Sequence, residues 1–221
     1  MSSLIDRYGS DIRSDCRLVC ADFSEAMVQQ VAKQRDGIAE ESPWMRVETI
    51  VQNAMDLADV ASGSMTHVTA GWVYFMTPDP MKCLTESHRV LTKDGVLALS
   101  SWEDSQWTGL MHAVEEVRPD KKLPQIPEPW RIASGVGDEM QKAGFRDVET
   151  HRVTVHLGFE THASFVDFMF TRMPHMVAVT KDLSAEEMEK TKALAMQRMK
   201  EMVPSEPGQL EGVSIVGVGR K

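Results

Sequence analysis

Apolar positions along this chain follow two periods, one helical and one alternating, and the switches between them mark out helix–strand units. The clearest unit runs from Asp79 to Trp102. Asp79 precedes Pro80, which reads as an N-cap followed by a residue pre-set for the first helical turn. Leu84, His88 and Leu91 then recur at helical spacing, with Glu86 and Arg89 between them. Lys93-Asp94-Gly95 predicts a stop and a turn, and Val96 to Leu99 is a short apolar run that predicts a buried strand ending in Ser100-Ser101-Trp102. Helix, turn and buried strand in that order are half of a βαβ unit.

The same reading extends to both ends. Leu4 to Tyr8 predicts the last turns of a helix, closed by Gly9. Arg17 to Ala21 reads as a buried strand with Asp22 behind it, and Ser24 caps a helix whose inner face is Met27, Val28 and Val31. Asp36 to Trp44 is polar, contains Pro43 and predicts a loop. Arg46 to Val51 and Ser64 to Gly71 predict further strands. Trp107, Leu110, Met111 and Val114 share a helical face, whereas Pro119, Pro124, Pro127 and Pro129 exclude helix from the following surface crossing or lid. Gly137 to Ala143 predicts a short helix and Val148 to Leu157 a strand. Helices are expected at Ser164–Met173 and Ser184–Met202, the second with a Ser184/Glu187 capping box, and a last strand at Gly212–Val218. Strands alternating with helices predict an α/β fold, a single domain over 1–221 with 164–202 as a helical cap. The cap's methionines, from Met169 to Met202, make either a soft surface that re-packs around apolar ligands or a plain helix–helix core.

Composition narrows the function classes. The chain has 221 residues, 42% hydrophobic and 26% charged, as in a soluble globular domain. Its net charge of −9 argues against nucleic-acid backbones and anionic membranes as partners. Cys16, Cys20 and Cys83 make neither a disulfide framework nor a metal-ligand spacing, so no metal is expected and the compartment reads as reducing. No apolar run reaches the length of a membrane span, and the start of the sequence lacks the apolar core of a signal peptide, so a cytoplasmic place in small-molecule metabolism is expected.

One motif is specific. Glu86-x-x-Arg89-Val90-Leu91-x-x-x-Gly95 leading into an apolar strand resembles the hallmark of class I S-adenosylmethionine-dependent methyltransferases of the small-molecule type. Ala143-Gly144-Phe145 before a strand, and a final strand ending in Gly-Arg-Lys, are similar to the same family. The resemblance implies a Rossmann-like, doubly wound and mostly parallel sheet, with one antiparallel strand in its last pair. It implies S-adenosylmethionine as cofactor, with Asp22 at the ribose, Met27 near the adenine, and Asn53-Ala54 where the family often carries Asp-Ala. Trp72, Tyr74, Phe75, Trp102 and Trp107 then fall where a substrate pocket would be walled. The residues by themselves leave alternatives open. Asp22 equally serves a helix N-terminus, Asn53 a turn, and the aromatics an ordinary core. For a general base, His112 comes first and His151 second, although a lone histidine is more often simply surface or packed.

The sequence also departs from the family. Met65-Thr66 stand in place of the usual Phe-Asp, and no G-x-G-x-G turn is present; Gly135-x-Gly137 follows no apolar strand. The expectation is therefore a methyltransferase sheet without its first strand and glycine loop, with cofactor affinity weakened or lost. The gap would fall between the strands that start near Arg17 and Met65. It would be closed by direct pairing, by a second copy or by a different chain. The leading function is methyl transfer to a small, mostly apolar acceptor, with oxygen the favoured acceptor atom. Its rival is a non-methylating relative that keeps the fold and acts as an isomerase, cyclase or binding subunit.

Overall fold

A computed structural model of the chain describes residues 2–36, 38 and 42–221. Its strands form two sheets, one of two strands and one of four. The first unit contains α1 (Ser2–Tyr8), β1 (Leu18–Asp22), α2 (Glu25–Asp36) and β2 (Val47–Val51). β1 and β2 are parallel, in register from Leu18↔Val47 to Asp22↔Val51. Ile5, Trp44 and Val47 form a small core beneath them. Part of the loop expected at Asp36–Trp44, Gly37 and residues 39–41, lies outside the described residues. Its end, Pro43–Arg46, is a 3-10 turn capped by Ser42, whose Oγ accepts the Trp44 N–H at 3.3 Å.

The second unit contains β3 (Met65–Gly71), α3 (Pro80–Val90), β4 (Leu91–Ser105), α4 (Gln106–Met111), α5 (Ala113–Val117), α6 (Ala133–Lys142), β5 (Arg146–Phe159), α7 (His162–Arg172), α8 (Pro174–Thr180), α9 (Ala185–Met202) and β6 (Gly208–Arg220). The strand order is β3-β4-β6-β5. β3 and β4 are parallel, and β6 runs antiparallel to both its neighbours. This is the mixed, Rossmann-like α/β sheet that the element pattern and the Glu86–Gly95 motif predict.

α3 begins as its sequence requires, with Asp79 Oδ1 accepting the Lys82 N–H at 3.1 Å. It buries Cys83, Leu84, Ser87 and Val90 against Leu97, Leu99 and Ile215 of the sheet, with Val136, Met140 and Phe145 closing the same core. The expected turn at Lys93-Asp94-Gly95 is instead a bulge inside β4. The pairing jumps from Met65↔Leu91 to His67↔Val96, and Asp94 takes the left-handed conformation with φ 61°. Gly95 is required by crowding. A Cβ there would stand 3.0 Å from the Thr92 carbonyl oxygen and 3.1 Å from that of Thr66. On the opposite face of β4, Val96, Ala98, Ser100 and Trp102 stay half-buried.

Glu86 and Arg89 clamp the loop that joins the two units. Arg89 Nη1 donates to the Val60 carbonyl at 2.9 Å and to Ser62 Oγ at 3.1 Å, and its Nη2 donates to the Leu57 carbonyl at 2.9 Å. Glu86 holds the same guanidinium through bonds of 2.8 and 2.7 Å, and its Oε2 accepts the Leu57 N–H at 2.7 Å. Ala54 and Met55, just upstream, pack against the core of the four-stranded sheet. The first unit is thereby tied to the second through residues 54–62.

The two sheets do not pair with each other. β1 pairs only with β2, and β3 only with β4, so each has an inner edge without a ladder among the described residues. Burial follows the same line. β1 and α2 contain no buried residue and β3 buries only Ala70, whereas interior parallel strands are normally covered on both faces. The inner face expected for α2 is correspondingly open, with Met27 47% exposed.

The cap is a packed core. Met169, Met176 and Met199 are fully buried among Leu110, Val114, Phe165 and Leu210, which leaves no soft methionine surface at these positions. α9 carries the expected box, with Ser184 Oγ accepting the Glu187 N–H at 3.2 Å and Glu187 Oε2 accepting the Ser184 N–H at 2.8 Å. α8, unforeseen from the pattern, starts on Pro174. His162 fastens the start of α7 to the end of α9. Its Nδ1 lies 2.5 Å from Glu206 Oε1 and its Nε2 2.7 Å from the Val203 carbonyl. No helix among the described residues is long and apolar enough to cross a membrane.

The clamp sets a stability prediction. Arg89→Ala leaves the Leu57 and Val60 carbonyls and the Glu86 carboxylate without their charged donor, at a cost of about 2–3 kcal/mol in urea unfolding at neutral pH. The hydrogen bonds from Arg89 hold the Glu86 carboxyl below its ordinary range, against the opposing effect of partial burial. A carboxyl depressed in the folded state contributes stability that is complete above its unfolded pKa, about 4.3, and is lost as pH falls through the folded value. Wild-type stability should therefore fall more steeply with acid below about pH 5 than that of Arg89→Ala. Parallel acid limbs would show that the ion pair contributes nothing.

Candidate cofactor and acceptor site

Two groups of the expected residues stand at the carboxyl ends of parallel strands, where open α/β sheets bind ligands. The first is at the tips of β1 and β2, zipped together by the Gln52 N–H donating to the Asp22 carbonyl at 2.9 Å. Asp22 Oδ1 accepts the Ser24 N–H at 2.8 Å, so the carboxylate does cap α2. Its Oδ2 has no partner among the described residues and remains available to a ligand hydroxyl. Asn53 Oδ1 accepts the Met55 N–H at 3.0 Å in a turn closed by the Asp56 N–H on the Asn53 carbonyl at 2.8 Å. With that oxygen engaged in the turn, the side-chain amide offers a ligand its N–H donors first. Ala54 packs toward the main core, and Met27 stands exposed on α2. Pattern reading missed Gln52, which is buried and donates to Asp59 from the same strand tip.

The second group follows β3. Gly71 ends the strand, and Trp72 takes φ 53°, a left-handed conformation unusual for a bulky residue. Its backbone N–H donates to Ser100 Oγ at 3.0 Å, and its indole Nε1 donates to Ser214 Oγ at 3.1 Å. Ser214 Oγ in turn donates to the Ser101 carbonyl at 3.0 Å. The Trp72 and Trp102 rings stack with centroids 4.8 Å apart and planes 4° apart, and Trp107 meets Trp102 edge-on at 5.0 Å. Ser214 carried a sequence signal that went unread, being a polar residue inside the apolar run from Gly212 to Val218.

The other aromatics lie deeper. Tyr74 and Trp107 are buried core residues that do not line the tryptophan pair; Trp107 meets Trp102, whereas Tyr74 meets Trp130 edge-on at 6.5 Å. Tyr74 Oη lies 2.5 Å from Ser87 Oγ, and burial pushes its hydroxyl up to about 12, partly offset by that bond. Phe75 is also buried.

The two histidines separate. His112 sits at the junction of α4 and α5, its Nδ1 3.4 Å from Glu115 Oε1, beside the cap core. His151 stands on β5, its Nε2 3.5 Å from Glu149 Oε2. The register runs Gly71↔Ser100↔Val216↔His151 across the sheet. Directly paired residues share a face, which puts His151 on the half-open face with Ser100 and Trp102. Two strand spacings place its Cα about 10 Å from that of Ser100. His112 lies off the sheet, between α4 and α5.

Strands and helices in this order and pairing are those of a Rossmann-like α/β protein. The chain belongs to the methyltransferase-domain family, whose model matches residues 3–99. The methyltransferase ucsB of an Acremonium species is 40% identical over 222 residues, covering 99% of this chain and 77% of that protein. Among solved structures, a candidate type II methyltransferase from Anaeromyxobacter dehalogenans aligns with TM-score 0.55 at 16% identity, covering 92% of this chain and 80% of its own. A candidate methyltransferase from Bacillus halodurans gives 0.54 at 17%, covering 92% and 82%. These structural likenesses show the fold.

S-adenosylmethionine is the cofactor of this family, and the described residues fit it in part. The Asp22 and Asn53 tips present an unpartnered carboxylate oxygen and an amide, which suit a ribose and a purine edge. The amino-acid end of the cofactor finds no matching cradle among the described residues. Gly71 stands alone at the tip of β3, and the inner edges of β1 and β3 carry no glycine-rich turn between them. Missing two or three hydrogen bonds to a charged group, at about 1.5–3 kcal/mol each, weakens binding a thousandfold or more. Calorimetric titration of S-adenosylmethionine into the 221-residue chain should thus give a dissociation constant well above micromolar, and Asp22→Ala should abolish the remaining heat. Micromolar affinity in the unaltered chain would show that some other segment replaces the cradle.

Proposed function

We propose that this chain carries out S-adenosylmethionine-dependent methyl transfer to an oxygen of a small, mostly apolar acceptor. The observation that carries this reading is the Trp72–Trp102 pair, apolar, partly open and rigidly held at the carboxyl ends of β3 and β4. When bound, the cofactor supplies an electrophilic methyl group on a sulfonium. Asp22 is assigned to the ribose hydroxyls, with Asn53, Ala54 and Met27 at the adenine. Trp72 and Trp102 position the acceptor and exclude water, with the edge of Trp107 bracing Trp102. An in-line displacement depends mainly on such positioning and desolvation. His151, beside Glu149, takes the acceptor hydroxyl's proton. At saturating cofactor, His151→Asn should lower the turnover of a simple phenol by about a hundredfold or more while leaving the tryptophan near-UV dichroism unchanged. A rate within a few-fold of the parent, or equal turnover of the matching aniline, would overturn the assignment of base or acceptor atom.

The open edges of β1 and β3 motivate a second part of this reading: a second copy of the chain covers the seam. Exposed ladders and apolar side chains such as Phe23, 82% exposed, favour association. A central strand that buries about four large apolar side chains, at about 1.5–3 kcal/mol each, contributes on the scale of a whole domain's stability. Light scattering on the eluting 221-residue chain is expected to report a dimer. A monodisperse monomer that melts cooperatively above about 50 °C rejects this closure. The three free thiols suit a reducing, cytoplasmic setting.

A further inference from the structure

We propose that Trp72 is a stacking plate that selects planar aromatic acceptors over saturated ones of the same size. The inference rests on the acceptor site argued above and names its substrate class.

Three observations carry it. First, the backbone at Trp72 is held at φ 53°, a conformation glycine takes freely and a β-carbon resists. Such strain persists only where surrounding contacts over-determine it, and it concentrates at ligand sites. Second, the ring is fixed from three directions. Ser100 Oγ accepts its backbone N–H, Ser214 Oγ accepts its indole N–H, and Trp102 covers one face in nearly parallel stacking. Trp102 is held in turn by the edge of Trp107. Third, Trp72 remains 39% exposed despite these contacts. Trp102 covers one face of the ring, and the exposure is assigned to the other.

Together these give an aromatic surface whose only hydrogen-bonding atom is already satisfied inside the protein. Such a surface cannot select a ligand through a donated hydrogen bond. It recognises flat π-systems by stacking, with no rotamer freedom to lose on binding. A saturated ring of equal carbon count is puckered and meets the plate at few points.

The test uses 2-naphthol and trans-decahydro-2-naphthol, which share a carbon skeleton and a hydroxyl and differ in planarity. Equilibrium dialysis of each against the full 221-residue chain is expected to show at least tenfold tighter binding of 2-naphthol. Trp72→Gly removes the ring and also relieves the left-handed backbone, so the fold is retained; the preference should vanish in it. Trp72→Phe keeps a ring and should retain most of the preference. Equal affinity for the two alcohols, or a preference unchanged in Trp72→Gly, overturns the plate. The methyl-transfer reading is tested separately, in the unaltered chain, by transfer of the cofactor's methyl group to 2-naphthol at saturating S-adenosylmethionine. Methyl transfer without naphthol selectivity removes the plate alone. Selectivity without methyl transfer keeps the plate and removes the methyl-transfer reading.

Discussion

The structure depends on one guanidinium. Arg89 reaches from the last turn of α3 to the carbonyls of Leu57 and Val60, while Glu86 grips it from the same helix face and takes the Leu57 N–H. A guanidinium suits this task because its donors form a planar fork that serves a carboxylate and several carbonyls together. A lysine would satisfy only part of the set. The clamped loop separates β2 from β3, so it also fixes where Asn53 and Ala54 lie relative to the strand that ends at Trp72. The Glu-x-x-Arg pattern is thus a device for holding the loop between the two sheets against α3.

That device explains how the chain tolerates its seam. β1 and β3 share no hydrogen bonds, and β1 and α2 bury nothing completely, yet the first unit is held through residues 54–62 and has a small core on Ile5, Trp44 and Val47. The large cores lie elsewhere, one under β4 and β6 against α3 and α6, the other in the cap around Met169 and Met199. Stability is therefore distributed unevenly, with the cofactor-side strands at the weaker end. Binding elements are commonly drawn from such regions, since a segment must be free to move if a ligand is to order it.

The strands and most helices were legible because their periodicities are strong and their boundary residues do what their chemistry suggests: Asp79 caps α3, Ser184 and Glu187 box α9, and Gly144 turns the chain at φ 96° before β5. The bulge at Lys93–Gly95 was not legible. A left-handed Asp followed by a crowded Gly looks in sequence like any Asp-Gly turn, and only the pairing with Met65 and His67 distinguishes them. The candidate site was legible in part. Trp72 and Trp102 were expected from their place near strand ends, but nothing in their spacing separates them from Tyr74 and Trp107, which the packing draws inward. Ser100 and Gln52 were missed because a serine or glutamine carries no periodic signal, and the break that Ser214 makes in its apolar run does not name its partners, Trp72 and Ser101. That His151 shares a sheet face with Ser100 and Trp102 depends on register, which a single sequence does not contain.

The distribution of perturbed ionisable groups fits this division of labour. Glu86 is lowered by Arg89, Glu115 by the Leu123 N–H and then His112, Glu187 by its cap bond to Ser184 and Glu206 by the His162 N–H. Each of these carboxylates fastens one element to another or closes a helix end, and none faces the Trp72–Trp102 pair. The surroundings of Trp72 and Trp102 are indoles and serine hydroxyls whose hydrogen bonds and stacking orient the rings. A reaction that moves an already activated methyl group between two aligned atoms needs such a surface more than it needs strongly shifted acids and bases, because its barrier falls chiefly through alignment and the exclusion of water. The chain thus concentrates its shifted carboxylates in the scaffold, away from the stacked tryptophans.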